Sequence, residues 1–254
     1  HPDGHGRDLW AFETASGVAS RLTFSPIDAR APAWAPDGKS LAYGNAEEGP
    51  PDVTVLHLDG SGRQEVLLRA PGVQSPRHRS PDGRLILYEN ASVGRRDQRQ
   101  LWYLSLDGKT RRVTATPFSS YHGRFSPEGR RLAYVSEESG GPEVYVAPVE
   151  GGPARRVSRA GGLLPRWRGD GAELFFVQPD GLVMAVPADA FQLLSSISSM
   201  HCRSSAGELE PRNHRISVSP ASRMRRIARV MLARNFLSRV LRYSCQPDSI
   251  SIYG

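Results

Sequence analysis

A tight-turn motif recurs four times along the chain, with its acidic residue at Asp37, Asp82, Glu128 and Asp170 and successive intervals of 45, 46 and 42 residues. A period of about 40–45 residues matches one four-stranded unit of a radially repeated sheet protein. Three residues before the acid stand Trp34, Arg79, Phe125 and Trp167. Four after it come Leu41, Ile86, Leu132 and Leu174, and six after it Tyr43, Tyr88, Tyr134 and Phe176. Residues two apart share one face of a strand, so these last two columns define one buried face. In "APDGK", "SPDGR" and "SPEGR" the proline presets the first φ, the acid bonds back to nearby amides, and glycine takes the left-handed corner. A turn carboxylate also suits a metal ion, but each turn offers one acid without a second beside it. Hairpin chemistry is the better reading, and no metal ligand is assigned.

A third strand follows in each complete copy: "VTVLHLDG", "LWYLSLDG" and "VYVAPVEGG". An arginine-flanked fourth closes the unit: "RQEVLL", "TRRVTA" and "ARRVSR". Four short antiparallel strands with glycine-rich corners, repeated, make a β-propeller. The expected fold is all-β. It comprises a partial blade over 1–24, complete blades over 25–70, 71–115 and 116–159, a partial blade over 160–190, and a non-repeating, irregular or partly helical basic tail over 191–254. The chain opens on "RDLWAFETASG", which matches a third strand, and the expectation is a piece of a longer protein carrying further blades.

The "SPDGR…LAY…YV" pattern resembles the TolB-like branch of propellers, relatives of the WD-repeat class. More narrowly, "RDLWAFETASGVASRLTF", "FSPEGRRLAYVSEESGGPEVYVAPV" and "PRWRGDGAELFFVQPDGLVMAVP" look like the carboxy-terminal propeller of acidobacterial membrane-bound serine/threonine protein kinases. That resemblance implies a non-catalytic sensor or interaction module for a protein or peptide, on the outer face of the bacterial inner membrane. Similar blades occur in prolyl-oligopeptidase-type serine peptidases, as gating propellers, and in free periplasmic TolB-type scaffolds. The chain carries no glycine-rich nucleotide loop, "HRD" or "DFG", so no phosphotransfer is assigned to it. It also lacks "GxSxG", "HExxH" and paired-cysteine motifs, so no catalytic residue and no cofactor is expected.

The net charge of +7 suggests nucleic acid until it is located. Residues 1–190 hold 23 of the 33 Lys and Arg and 23 of the 26 Asp and Glu, so the repeat region is neutral and no nucleic-acid partner is expected. The whole excess lies in the tail, with both cysteines, Cys202 and Cys245. Within it, "SPASRMRRIARVMLARNFLSRVLRYS" places Met224, Ile227, Met231 and Leu241 on a helical stripe among arginines. One reading is a basic amphipathic helix for an acidic membrane surface. The other, preferred because blade-like sequence stops near Ala190, is loose or non-native sequence following a reading-frame shift. No run of the sequence is long and apolar enough to span a bilayer, so any membrane anchor is expected outside this chain.

The residues four before each turn acid are Ala33, His78, Arg124 and Arg166. Alternation puts them opposite the aromatic column, and the first strand of each propeller blade lines the central channel. His78, Arg124 and Arg166 therefore converge there, joined on parity by His122 and Arg168, as a cationic ring for an anionic ligand such as a peptide end. The bland alternative is that these arginines pair with neighbouring acids and only hold blades in register. Arg79 breaks the aromatic column, so its blade junction is expected to pack less well than the others.

Overall fold

A computed structural model of the chain describes residues 7–24, 28–46, 52–92, 95–191 and 225–229. Its strands form five antiparallel sheets taken in chain order. The first has two strands, β1 (Trp10–Phe12) and β2 (Ala19–Arg21). The second holds β3 (Ala29–Trp34), β4 (Ser40–Asn45), β5 (Asp52–His57) and β6 (Gln64–Leu68). The third holds β7 (Val73–Arg79), β8 (Leu85–Ser92), β9 (Arg95–Ser105) and β10 (Thr110–Arg112). The fourth holds β11 (Ser120–Phe125), β12 (Arg131–Ser136), β13 (Glu143–Pro148) and β14 (Arg155–Arg156). The fifth holds β15 (Leu163–Trp167), β16 (Glu173–Val177), β17 (Leu182–Pro187) and β18 (Arg225–Arg229), with a 3₁₀ turn at Ala188–Phe191 before the tail.

The hairpins between first and second strands owe their shape to the repeated turn. Gly38, Gly83, Gly129 and Gly171 all take φ between 70° and 74°, a conformation that costs glycine nothing. The acid three of these turns share accepts the amide two residues on: Asp37 from Lys39, Asp82 from Arg84, Asp170 from Ala172, at 2.9–3.0 Å. The longer Glu128 instead reaches the Arg131 guanidinium at 2.7 Å.

The core is distributed between sheets. Leu41 and Tyr43 meet Leu9, which leads into the first sheet, while Ile86 and Tyr88 meet Ala42, Val53 and Val55 of the second. Leu132 and Tyr134 pack on Leu87, Leu101 and Tyr103 of the third sheet, and Leu174 and Phe176 on Val135, Val144 and Val146 of the fourth. The two apolar columns thus always face the preceding sheet, and the residues between them face the next one. Removing a side chain such as Leu132, fully buried, costs about 2–5 kcal/mol in sites of this kind. The inner strands β3, β7, β11 and β15 lie successively against one another, which is the propeller arrangement.

The tail differs from expectation where it is described. Arg225–Arg229 is a strand that pairs antiparallel with β17, Leu182 opposite Arg229 and Ala185 opposite Arg225. Ile227 therefore belongs to a sheet rather than to a helical stripe, and Met224, Met231 and Leu241 lie outside the described residues. The physical reason is the open edge of β17, whose backbone groups need partners that a helix cannot supply. The last sheet thereby has four strands rather than three.

Candidate binding site at the channel mouth

The strands β7, β11 and β15 each bring two adjacent side chains to their hairpin end: His78 and Arg79, Arg124 and Phe125, Arg166 and Trp167. Where β3, β7, β11 and β15 end, they surround a cavity of about 560 Å³, whose walls include His78, Arg79, Arg124, Arg166, Phe125 and Trp167. Trp34 and the turn prolines Pro36, Pro81 and Pro127 complete its lining. Three of the five residues singled out from sequence, His78, Arg124 and Arg166, are thus brought together.

Neighbouring inner strands are tied through these same residues. Phe125 donates its N–H to His78 Nδ1 at 3.1 Å, Arg124 Nη1 donates to the Arg77 carbonyl at 2.8 Å, and Trp167 Nε1 donates to the Arg124 carbonyl at 3.2 Å. The imidazole of His78 also stacks on Phe125, centroids 5.8 Å apart. Burial, helped by the Arg124 and Arg166 charges, pushes the His78 pKa down to about 4, so the ring is neutral at pH 7. Burial and the charges of Arg166 and Arg77, opposed by Glu89, push Arg124 down to about 9, which leaves its guanidinium charged.

The other two candidates lie elsewhere. Arg168 is past the end of β15, where its guanidinium meets Asp170 at 2.8 Å and Glu173 at 3.1 Å. For this residue the register-holding alternative describes the contacts. His122 is separated from Arg124 by a bulge: Tyr121 pairs with Val135 and Arg124 with Ala133, so one extra residue is accommodated. The same irregularity falls between Arg30 and Ala33, Pro76 and His78, and Leu163 and Arg166. Ala31, His122 and Leu164 take φ of 53–55° there. Simple alternation does not survive an inserted residue, and this is why His122 does not join the cavity wall. Its ring lies edge-on to Tyr121, and burial holds its pKa at about 4.

Sequence reasoning missed Glu89. This carboxylate is 2% exposed and accepts from Arg77 at 2.7 Å and from the His122 N–H at 2.8 Å, with Arg99 at 3.6 Å. Arg99 in turn lies over the Tyr121 ring at 4.1 Å. The cluster bridges the third and fourth sheets behind the cavity. Glu89 sits one residue past the Ile86–Tyr88 face, and nothing in the repeat marks it.

The aromatic column behaves as its position in the series dictates. Phe125 is 2% exposed against Leu87, Leu101 and Tyr103, and Trp167 packs on the cluster between the fourth and fifth sheets. Trp34 is 49% exposed; among the described residues the sheet before it supplies two strands and no inner one. Arg79 occupies the same column and is 6% exposed, with Nη2 donating to the Gly83 carbonyl at 2.9 Å.

Comparison with known proteins agrees with this geometry. The family model described as the TolB beta propeller domain matches residues 11–224, most of the chain. The chain belongs to the TolB beta propeller domain family. Among curated relatives, the TolB propeller sequence here is 36% identical over 125 residues to the Tol-Pal system protein TolB of Bordetella pertussis, covering 48% of this chain and 28% of that one. It is 44% identical over 70 residues to tricorn protease homolog 1 of Streptomyces coelicolor, covering 27% and 7%. The crystal structure of TolB from Acinetobacter baumannii superimposes with a TM-score of 0.61 at 22% identity, covering 72% of this chain and 46% of that one. This last likeness shows the TolB fold alone. The chain spans less than half the length of each of these three proteins.

Proposed function

We propose that this chain is a non-catalytic propeller that binds a protein or peptide at the channel mouth. In the same proposal it serves as the extracytoplasmic sensor part of a receptor-like bacterial serine/threonine kinase. The observation that carries the binding reading is the cavity: consecutive inner strands send a basic or imidazole side chain and a bulky neighbour to one opening, of a volume typical of ligand sites. Two further features support a binding role over chemistry. Ser126, the one hydroxyl residue in the wall, exchanges hydrogen bonds with the Arg131 backbone at 3.0 Å. His78 Nδ1 is engaged by the Phe125 amide, so the pair is not set as nucleophile and base. The zero charge balance of residues 1–190 favours protein over nucleic acid.

The kinase assignment rests on the resemblance of the repeated blades. The match to a tricorn protease homolog favours a second reading, the gating propeller of a serine peptidase. The match to TolB favours a third, a free periplasmic scaffold. Sequencing the reading frame around this chain separates them: a kinase catalytic domain and a membrane span upstream support the first, and "GxSxG" downstream supports the second. Binding at the mouth is tested in the full-length protein with Arg124→Glu and Arg166→Glu. The expected outcome is loss of whatever protein or peptide immobilised wild type captures; undiminished capture retires the site.

A further inference from the structure

Arg79 stands where the other three blades carry an aromatic residue, and the wall of the cavity is where it ends up. Its Nε and Nη1 are buried and have no hydrogen-bond partner among the described residues. Among the described residues no carboxylate is ion-paired with it or with Arg124, whose Nη1 donates to the carbonyls of Arg77 and Gly123. The Asp37 charge acts on Arg79 only at longer range. Buried cations whose counter-charges, Asp37 for Arg79 and Glu89 for Arg124, act only at a distance are unfavourable, so two of them at one opening mark a place where negative charge belongs. The walls beside them are apolar: Phe125, Trp167 and the turn prolines.

We propose that the cavity takes the carboxylate of an acidic peptide, with Arg79 and Arg124 as its charge partners and the aromatic and proline walls receiving the neighbouring apolar side chain. The inference rests on the peptide-binding reading above and specifies its ligand. Guanidinium groups suit a planar carboxylate because their parallel N–H groups match its two oxygens. The neutral His78 ring beside them adds no competing acceptor at Nδ1, which the Phe125 amide already occupies. Arg79 is then the residue that departs from the packing pattern for the sake of the ligand. A position that breaks a local rule at a site is where such a trade is expected.

The test is calorimetric titration of the full chain with three peptides built on one Phe-Pro core. One carries Glu with an amidated end, one carries Gln with a free terminal carboxylate, and one carries Gln with an amidated end; inorganic phosphate is titrated separately. At least one carboxylate peptide is expected to bind, the neutral one not to, and Arg79→Met or Arg124→Met to weaken binding about tenfold or more. Which carboxylate peptide binds tells whether the group comes from a side chain or a chain end. Arg79→Lys, retaining the charge without the fork, should restore part of the affinity, and melting curves for each variant establish that it is folded. Equal binding of the neutral peptide, binding unchanged in both Met variants, or binding of phosphate alone overturns the inference. If immobilised wild type captures a protein in that event and Arg124→Glu loses it, the carboxylate assignment fails while the protein-binding reading stands.

Discussion

The N–H of Phe125 in the fourth sheet donates to Nδ1 of His78 in the third, 3.1 Å away, so the fold itself requires that nitrogen to be unprotonated. With burial and two arginines holding its pKa at about 4, His78 gains a proton more readily in the unfolded chain than in the folded one. The unfolded state therefore binds more protons between about pH 6.5 and pH 4, and stability is lost as pH falls through that window. Denaturant titrations at pH 7 and pH 5 are expected to show a loss of about 2 kcal/mol attributable to this ring. In His78→Gln the loss between those two pH values should shrink; an unchanged slope would mean the imidazole is solvated.

Arg79→Phe restores the aromatic column and removes two buried, unpartnered nitrogens. The melting temperature is expected to rise, by roughly 2–4 °C for about 1 kcal/mol in a chain of this size. A clear fall would show that the column does not face the neighbouring blade.

Gly123 lies where β11 crosses the third sheet, and a Cβ built there would stand 2.4 Å from Leu87 Cδ2 and 3.2 Å from Leu101 Cδ1. Both leucines are fully buried, so neither has free space to retreat into. Gly123→Ala is expected to destabilise by about 1–3 kcal/mol. Combining it with Leu87→Ala should cost less than the sum of the two single changes, a coupling read from a double-mutant cycle in urea.

Glu89→Leu leaves the His122 N–H and the Arg77 guanidinium without their acceptor. A loss of about 1–3 kcal/mol is expected by chemical denaturation, with Glu89→Gln recovering a part because it keeps an acceptor oxygen. An effect within a few tenths of a kcal/mol would mean that water replaces the carboxylate without cost.

The fold was legible because the repeat encodes it twice, in turn residues whose φ is dictated by chemistry and in apolar columns whose spacing matches the pleat. Leu132 and Tyr134 point to the preceding sheet because a strand leaves them no other face. His78, Arg124 and Arg166 were legible for the same reason, since each lies one residue from the column and a few from the turn. His122 was misplaced because an inserted residue resets the alternation, and a left-handed φ at a histidine leaves no mark in composition. Glu89 was invisible since its importance comes from three partners that are distant in sequence or on other strands. The pairing of Arg225–Arg229 with β17 was hidden by a basic composition that also fits a helix.

The bulge in every inner strand divides it into two segments with independent phase. Residues on the hairpin side of the inserted one therefore alternate out of phase with those farther along. The face shown by the cavity-lining residues is thus set from the hairpin side of each strand, and the packing between neighbouring sheets from the side beyond the inserted residue.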